Sequence, residues 1–411
     1  MTAAPIKGKS PFFPGQPVPV DLFVGRAAQV NHVLERCAGQ VAVGKPVSVF
    51  IEGDYGIGKS SFAAFVQQAA EAKYGLHPIY VQLGGGEDLG DVAIAIMQAT
   101  ARSGALNKAR SDKVRDWLSK YIGKQSLFGL TFDMTALRAD APALTTHYGL
   151  LDFLRNVVDR LSGTGASGVF LVLDEINGIT KDPKFAHFLK GVVDSNAMAP
   201  TPVPVLFALC GAEERRRDLI RNHPPIDRIF DVVDVPLMTE DEMGDFFAQA
   251  FESVKMHLTP DARGLLAFYA AGFPKIMHIL GDEAFWVTRD AIIDPDDVHK
   301  AVLRAADEVG KKYVDQQVYA ALRSADYRAI LEKITNDSPF DMSFKKAEVA
   351  AKLTDGEKGK LNNFLQRMKR LNVLSRGATP GEYVFNVRMV RLYIWLQAQR
   401  KKLRVPPADG A

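Results

Sequence analysis

Gly53, Gly58, Lys59 and Ser60 stand in the spacing G-x-x-x-x-G-K-S, inside the stretch Glu52-Gly-Asp-Tyr-Gly-Ile-Gly-Lys-Ser-Ser61. These residue types at this spacing suit an anion. Glycines let backbone N–H groups converge on a phosphate, and a helix N-terminus adds partial positive charge. A lysine reaches the terminal phosphates, and a serine hydroxyl takes a place on Mg²⁺. Gly56 and Ser61 complete the set expected to line the phosphates, with ATP and Mg²⁺ as the expected ligands. A second constellation closes "VFLVLDE", where Asp174 and Glu175 follow an apolar run. Asp174 is placed to order Mg²⁺ through water, sharing it with Ser60, and Glu175 to polarise an attacking water. An acid pair at a strand end can merely cap the next loop. Two such motifs in one chain point to a nucleotide site.

The elements that must carry these residues follow from patterning. The loop lies between an apolar "VSVFI" and a helix-like "FAAFVQQAAEA". Strand-like runs at 47–53, 77–83, 168–175, 203–211 and 230–237 alternate with helical patterns, which predicts a parallel sheet covered by helices. The run "VFLVL" has no alternation, as expected of a strand buried on both faces. A hairpin is expected in "QSLFGLTFDM". After Leu237, four segments open on a capping residue or proline and carry apolar residues at spacings of three and four, predicting a compact helical region. From Ala325 the pattern predicts three helices, short β pieces around "RGATPGEY" and a terminal helix, the winged-helix arrangement.

The totals bound the rest. With 411 residues, 47% of them apolar, the chain can bury two or three cores. No run approaches the roughly 18 apolar residues that span a bilayer, so neither membrane insertion nor export is expected. Cys37 and Cys210 form no C-x-x-C pair and the eight histidines are scattered without metal spacing. A reduced, cytoplasmic setting is therefore expected, and a structural zinc is not. The net charge of +3 hides a division along the chain. Between Ser343 and Arg404 fifteen Lys or Arg face four acids, a balance of +11, whereas between Thr239 and Glu308 fourteen acids face six bases. Such a split predicts an anionic partner for the C-terminal end.

With both motifs present, the chain resembles the AAA+ ATPases, in the branch holding archaeal replication initiators and STAND-type regulatory ATPases. "FVGR" matches the short motif ahead of the first strand that packs near adenine, which implies adenine-side roles for Val24 and Arg26. "GFPK" is similar to the sensor 2 segment at the start of a lid helix, implying that Lys275 meets the γ-phosphate where many relatives carry Arg. "IDRIF" is similar to the segment with an arginine finger, making Arg228 the candidate to act in trans, with Arg215, Arg216, Arg217 and Arg221 as neighbours able to compete. Gln82 resembles the residue that restrains the catalytic Glu. Against the family pattern, "ALCGAEE" puts Cys210 and Ala212 where a polar sensor 1 residue is expected, so hydrolysis is expected to be slow.

The resemblance implies an α/β fold: a P-loop NTPase parallel sheet (the AAA+ αβα core), a helical lid and a C-terminal winged-helix domain. The expected boundaries are a flexible proline-rich arm (1–20), the nucleotide-binding domain (21–238), the lid (239–308), the winged helix (309–404) and a tail (405–411). In "EKGKLNNFLQRMKRL" Lys360, Asn363, Arg367 and Arg370 share one face of a helix, opposite the stripe of Leu361, Phe364, Leu365, Met368 and Leu371. Basic side chains with an amide suit phosphates and base edges in a major groove. The leading expectation is an ATPase that couples nucleotide state to double-stranded DNA binding and homo-oligomer formation, as initiators and transposition regulators do. The alternative is a STAND-type switch in stress or defence whose winged helix contacts a protein partner. The chain's end at residue 411, without long sensor repeats, weighs against it. A small-molecule phosphotransferase would have no use for the lid or winged helix.

Overall fold

The computed structural model describes residues 8–14, 23–54, 56–103, 108–121, 144–309, 324–335, 343–371, 373–377, 379–386, 390–395 and 397. Two compact units divide the chain, one over residues 17–236 and the other over 237–411 with the N-terminal segment.

In the first unit five strands form a parallel sheet in the order β2-β3-β4-β1-β5. They are β1 (Val47–Glu52), β2 (Leu76–Gln82), β3 (Gly168–Asp174), β4 (Val205–Gly211) and β5 (Asp231–Asp234), each within the run expected of it apart from the first residue of β2. Every residue of β3 and β4 is buried, which is why these two runs lack alternation. The edge strand β2 alternates, with one half-wetted face, and in the short edge strand β5 Val233 is the one buried residue.

Helix α1 (Ala27–Asn31) runs on without a break into a π-helical segment, His32–Ala38, and then α2 (Gly39–Ala42). Next come α3 (Lys59–Tyr74), α4 (Leu89–Arg102), α5 (Lys108–Tyr121), α6 (His147–Arg160), α7 (Pro183–Ala197) and α8 (Glu213–Asn222). Helix α3 starts directly from the loop after β1 and packs on β1 to β4. It stops at Gly75, whose φ of +72° supplies the left-handed C-cap. The segment of the expected "QSLFGLTFDM" hairpin lies outside the described residues.

The second unit holds α9 (Glu240–Ser253), α10 (Pro260–Ala270), α11 (Pro274–Val287) and α12 (Pro295–Val309), the four helices expected after Leu237. Thr239 and Glu242 form a complete capping box at α9, which satisfies two of the orphan N–H groups of its first turn. The region is not wholly helical, however: β6 (His257–Leu258) and β7 (Ile292–Ile293) pair in parallel. Two residues are too few to show a period. Residues 8–14 depart from the free arm expected at the N-terminus, because Phe12 is buried against Phe246, Phe251 and His278. Gly281 makes room for it, since a Cβ there would come within 2.2 Å of the Phe12 ring. His278 Nδ1 accepts from the Phe13 N–H at 3.2 Å, and burial pushes that imidazole down to about 4, so it is neutral and free to accept.

Further on lie α13 (Ala325–Thr335), β8 (Ser343–Lys345), α14 (Lys346–Ala351), α15 (Asp355–Arg370), β9 (Leu374–Arg376) and β10 (Glu382–Phe385), followed by helical residues 390–395. The three strands form an antiparallel sheet in the order β8-β10-β9. The second of the three helices expected from Ala325 starts at Lys346, just after Phe344, which stacks on Tyr383 across the β8–β10 ladder. Leu361, Phe364, Leu365 and Met368 of α15 enter the core of this part as a stripe, with Leu371 at its margin.

Candidate functional site

The loop 53–58 leaves the C-terminal edge of the sheet and turns into α3. Gly53, Gly56 and Gly58 have φ values of +153°, +81° and +93°, the left-handed region that side-chain-bearing residues avoid. Gly53 has a steric reason as well: a Cβ there would lie 2.9 Å from the Val235 carbonyl oxygen. Gly58 is the N-cap of α3, so Lys59, Ser60 and Ser61 form the helix's first turn, where N–H groups have no intrahelical partner.

Lys59 is half-buried and folds back on the loop, its Nζ donating to the carbonyls of Gly53 (2.9 Å) and Asp54 (2.8 Å). Burial pushes its ammonium below the usual lysine range, while the carboxylates of Asp174, Asp54 and Glu214 oppose the shift. An ammonium partly stripped of water and held by neutral carbonyls is poised to exchange them for a phosphate.

Asp174 ends β3 and is buried at 2% exposure. Its Oδ1 accepts from the Glu175 N–H at 2.8 Å, and its Oδ2 accepts from the Tyr80 hydroxyl at 2.6 Å. The same hydroxyl lies 3.3 Å from the Ser60 carbonyl. Tyr80 therefore ties the first turn of α3 to the end of β3, and burial beside Asp174 raises its phenol so that it stays a donor. Ser60 and Asp174 fit Mg²⁺ by chemistry, since a hydroxyl and a carboxylate are both hard oxygen donors. Sequence analysis missed Tyr80. Its signal is only that it shares a strand face with Gln82 two residues on, and a half-buried tyrosine in an edge strand needs no function. The Tyr80→Phe variant is expected to weaken Mg²⁺-dependent nucleotide affinity by about 10- to 100-fold through loss of this outer-shell contact. Nucleotide titration with and without Mg²⁺ measures it.

Glu175 is exposed and adopts φ +58°, one of four non-glycine residues with positive φ among the described residues. Between the loop and Asp174 the sheet order places β4, whose Cys210 is fully buried. Burial raises that thiol, the Asp174 charge raises it further and Lys59 opposes them. A protonated thiol thus stands where a polar side chain was expected, while Ala212 is the N-cap of α8. Gln82 is exposed beside Asp174 in the β2–β3 register.

Arg26 is buried in a left-handed conformation with φ +58°. Its guanidinium donates to the Ile57 carbonyl inside the loop and to the Pro236 carbonyl. Val24 is half-buried beside it, and Phe23 stacks on Phe65 of α3 with ring centroids 4.4 Å apart. Arg26 thus holds the loop's backbone, a role that the resemblance alone did not specify.

The arginine cluster resolves by pairing. Arg215 and Arg221 pair with Asp218, Arg217 with Glu213, and Arg216 with both Glu52 and Asp227. Arg228 ends a 3₁₀ turn (Pro224–Arg228), is exposed, and has no hydrogen bond or ion pair among the described residues. Lys275 is half-buried in the first turn of α11 in the second unit. On α15, Lys360, Asn363, Arg367 and Arg370 are all exposed, but Lys360 is paired with Asp326, which raises its ammonium. The free positive charge of this face therefore centres on Arg367 and Arg370.

No protein-family model matches the sequence, and no curated protein matches it. Solved structures do. The Walker-type ATPase of Pyrococcus abyssi is 14% identical with a TM-score of 0.55, covering 90% of this chain and 96% of its own. The ORC2 protein of Aeropyrum pernix, solved in ADPNP–ADP complexes, is 14% identical with a TM-score of 0.56, covering 92% of this chain and 93% of its own. Identity this low speaks for the fold alone. The sheet order and the coverage agree: the chain has the P-loop NTPase fold of the AAA+ type.

Proposed function

We propose that this chain, an AAA+ fold, binds ATP with Mg²⁺, hydrolyses it slowly, and couples nucleotide state to double-stranded DNA binding and self-assembly, as an initiator or transposition regulator would. The observation that carries the reading is the convergence of Lys59, Ser60, Tyr80, Asp174 and Glu175 at one edge of the sheet. The backbone of Gly53, Gly56, Gly58, Lys59, Ser60 and Ser61 receives the phosphates, with Val24 and Arg26 on the adenine side. Ser60 and Asp174 hold Mg²⁺, which when bound offsets phosphate charge. Glu175 takes the proton of the attacking water. Lys275 contacts the γ-phosphate as a point charge without the bidentate fork of Arg. Arg228 acts on a neighbouring subunit's nucleotide, and its lack of a partner among the described residues supports it over the four paired arginines. The buried thiol of Cys210 positions water poorly, which supports slow turnover.

Residues 21–238, 239–308 and 309–404 serve as nucleotide-binding domain, lid and winged helix. In the last, α15 presents Asn363, Arg367 and Arg370, with Lys360, to the duplex. Reversing charge in Arg367→Glu/Arg370→Glu is expected to weaken duplex binding tenfold or more. The slope of log affinity against log salt should fall by about 2, since each lost phosphate contact removes about 0.9. An unchanged gel shift across salt concentrations overturns the DNA reading in favour of a protein partner.

Light scattering after size exclusion, with ATP, ADP or no nucleotide and with or without duplex DNA, tests the coupling. A larger species confined to the ATP samples is expected. One mass under every condition overturns it.

A further inference from the structure

A second cluster of chemistry-bearing side chains lies away from the loop. His32 and Cys37 stand on the π-helical segment and Asp231 opens β5. His32 Nε2 and Asp231 Oδ2 are 2.7 Å apart, and Cys37 Sγ lies 3.7 Å from the same oxygen. One ligand atom from each residue falls within 4.8 Å of the other two.

The backbone is what unites them. In an α-helix, residues five apart point roughly 140° away from each other, so His32 and Cys37 would face different ways. In a π-helix the i→i+5 hydrogen-bond register stacks residues five apart, so the two face one point. This segment is seven residues long, whereas π structure is rare and appears mostly as single-turn bulges at functional sites.

We propose that His32 Nε2, Cys37 Sγ and an Asp231 carboxylate oxygen form a binding site for a divalent transition metal of the Zn²⁺ class, with water in the fourth position. Imidazole, thiolate and carboxylate together suit Zn²⁺ and Co²⁺, while a thiolate disfavours Mg²⁺ and Ca²⁺. Tetrahedral bonds of 2.0 to 2.3 Å set the ligand atoms roughly 3.3 to 3.6 Å apart. Cys37 is nearly at that distance from Asp231, and the His32–Asp231 pair must open by roughly 0.6 Å. Both partners of that pair are mobile enough, with side chains 33% and 43% exposed, while Cys37 is fixed in the core at 1%. On binding, the thiol proton leaves to solvent as the sulfur–metal bond forms.

The site would join two segments that both reach the phosphate loop. The chain just ahead of α1 holds Arg26, which donates to Ile57. Strand β5 continues into Val235, whose N–H donates to the Glu52 carbonyl at 2.8 Å and whose own carbonyl faces Gly53. A metal bridging α1's continuation to β5 therefore staples the wall behind the loop.

Co²⁺ titration of the chelator-stripped full chain, without nucleotide, tests this independently of any ATP chemistry. At one equivalent, a thiolate-to-cobalt charge-transfer band is expected, with visible bands of tetrahedral intensity that Zn²⁺ abolishes. Cys210→Ala and Lys59→Ala should keep the band, Cys37→Ser should lose it, and His32→Ala and Asp231→Asn should each weaken Co²⁺ binding tenfold or more. Absence of the band in the unaltered chain, or its survival in Cys37→Ser, overturns the proposal. Zinc-edge X-ray absorption of the unaltered chain needs no variant: one sulfur among lighter ligands is expected, and a shell of nitrogen and oxygen alone overturns it.

Discussion

The Glu175→Gln variant is expected to hydrolyse ATP about 10² to 10⁴ times more slowly than the unaltered protein, with ATP affinity changed no more than a few-fold. The substitution keeps shape and volume and removes only the capacity to take a proton. The backbone marks the residue as special before any chemistry is invoked. Glutamate gains nothing from φ +58°, a conformation costing about 1–2 kcal/mol, yet it is held there while its own N–H is fixed on Asp174 Oδ1. Strain of this kind clusters where position matters more than stability. Single-turnover phosphate release, paired with a fluorescent-nucleotide titration, separates the two quantities. Equal rates in variant and parent would remove Glu175 from the reaction, and a large loss of affinity would show that it positions the nucleotide instead.

Loss of the ammonium in Lys59→Ala acts on binding itself. A hydrogen bond to a charged group contributes about 1.5–3 kcal/mol, so ATP affinity should fall by about 10- to 100-fold, and ATP-dependent assembly should disappear. The variant should still fold. The lysine's contacts in the structure are to two loop carbonyls close to solvent, and its burial disfavours the charged form it must keep. Light scattering with ATP reads assembly, and thermal unfolding confirms the fold. Assembly that survives in this variant would detach self-association from the nucleotide altogether.

Much of the architecture was open to reading because its signals are local. A strand buried on both faces must be apolar throughout, so β3 and β4 announce themselves. The turn into α3 must carry glycines at positive φ, so Gly53, Gly56 and Gly58 are visible in a string of letters. Thr239 with Glu242, and Thr354 with Glu357, mark helix starts because capping is a contact between residues three apart. The basic face of α15 was legible for the same reason, since helical spacing fixes which side chains share a side.

What escaped depends on residues distant in sequence. Tyr80 and Asp174 are 94 positions apart and meet only because β2 and β3 are neighbours in register. Lys360 looked like one more free cation until α13 brought Asp326 against it. Phe12 looked like part of a loose arm, yet a cavity opened by Gly281 accepts it. Sorting five arginines into four that are paired and one that is not required their acids to be placed in space.

By itself, then, the sequence determined the phosphate loop, the acid pair, the parallel sheet and the two charge regions, because each rests on steric or periodic rules over a few residues. Only the tertiary structure decided which groups surround Asp174, which arginine makes no ion pair among the described residues, and that His32, Cys37 and Asp231 share one point. The last is the clearest case. Spacing of five means divergence in an α-helix and convergence in a π-helix, and that choice, like the arrival of Asp231 on β5, is settled by packing across the domain.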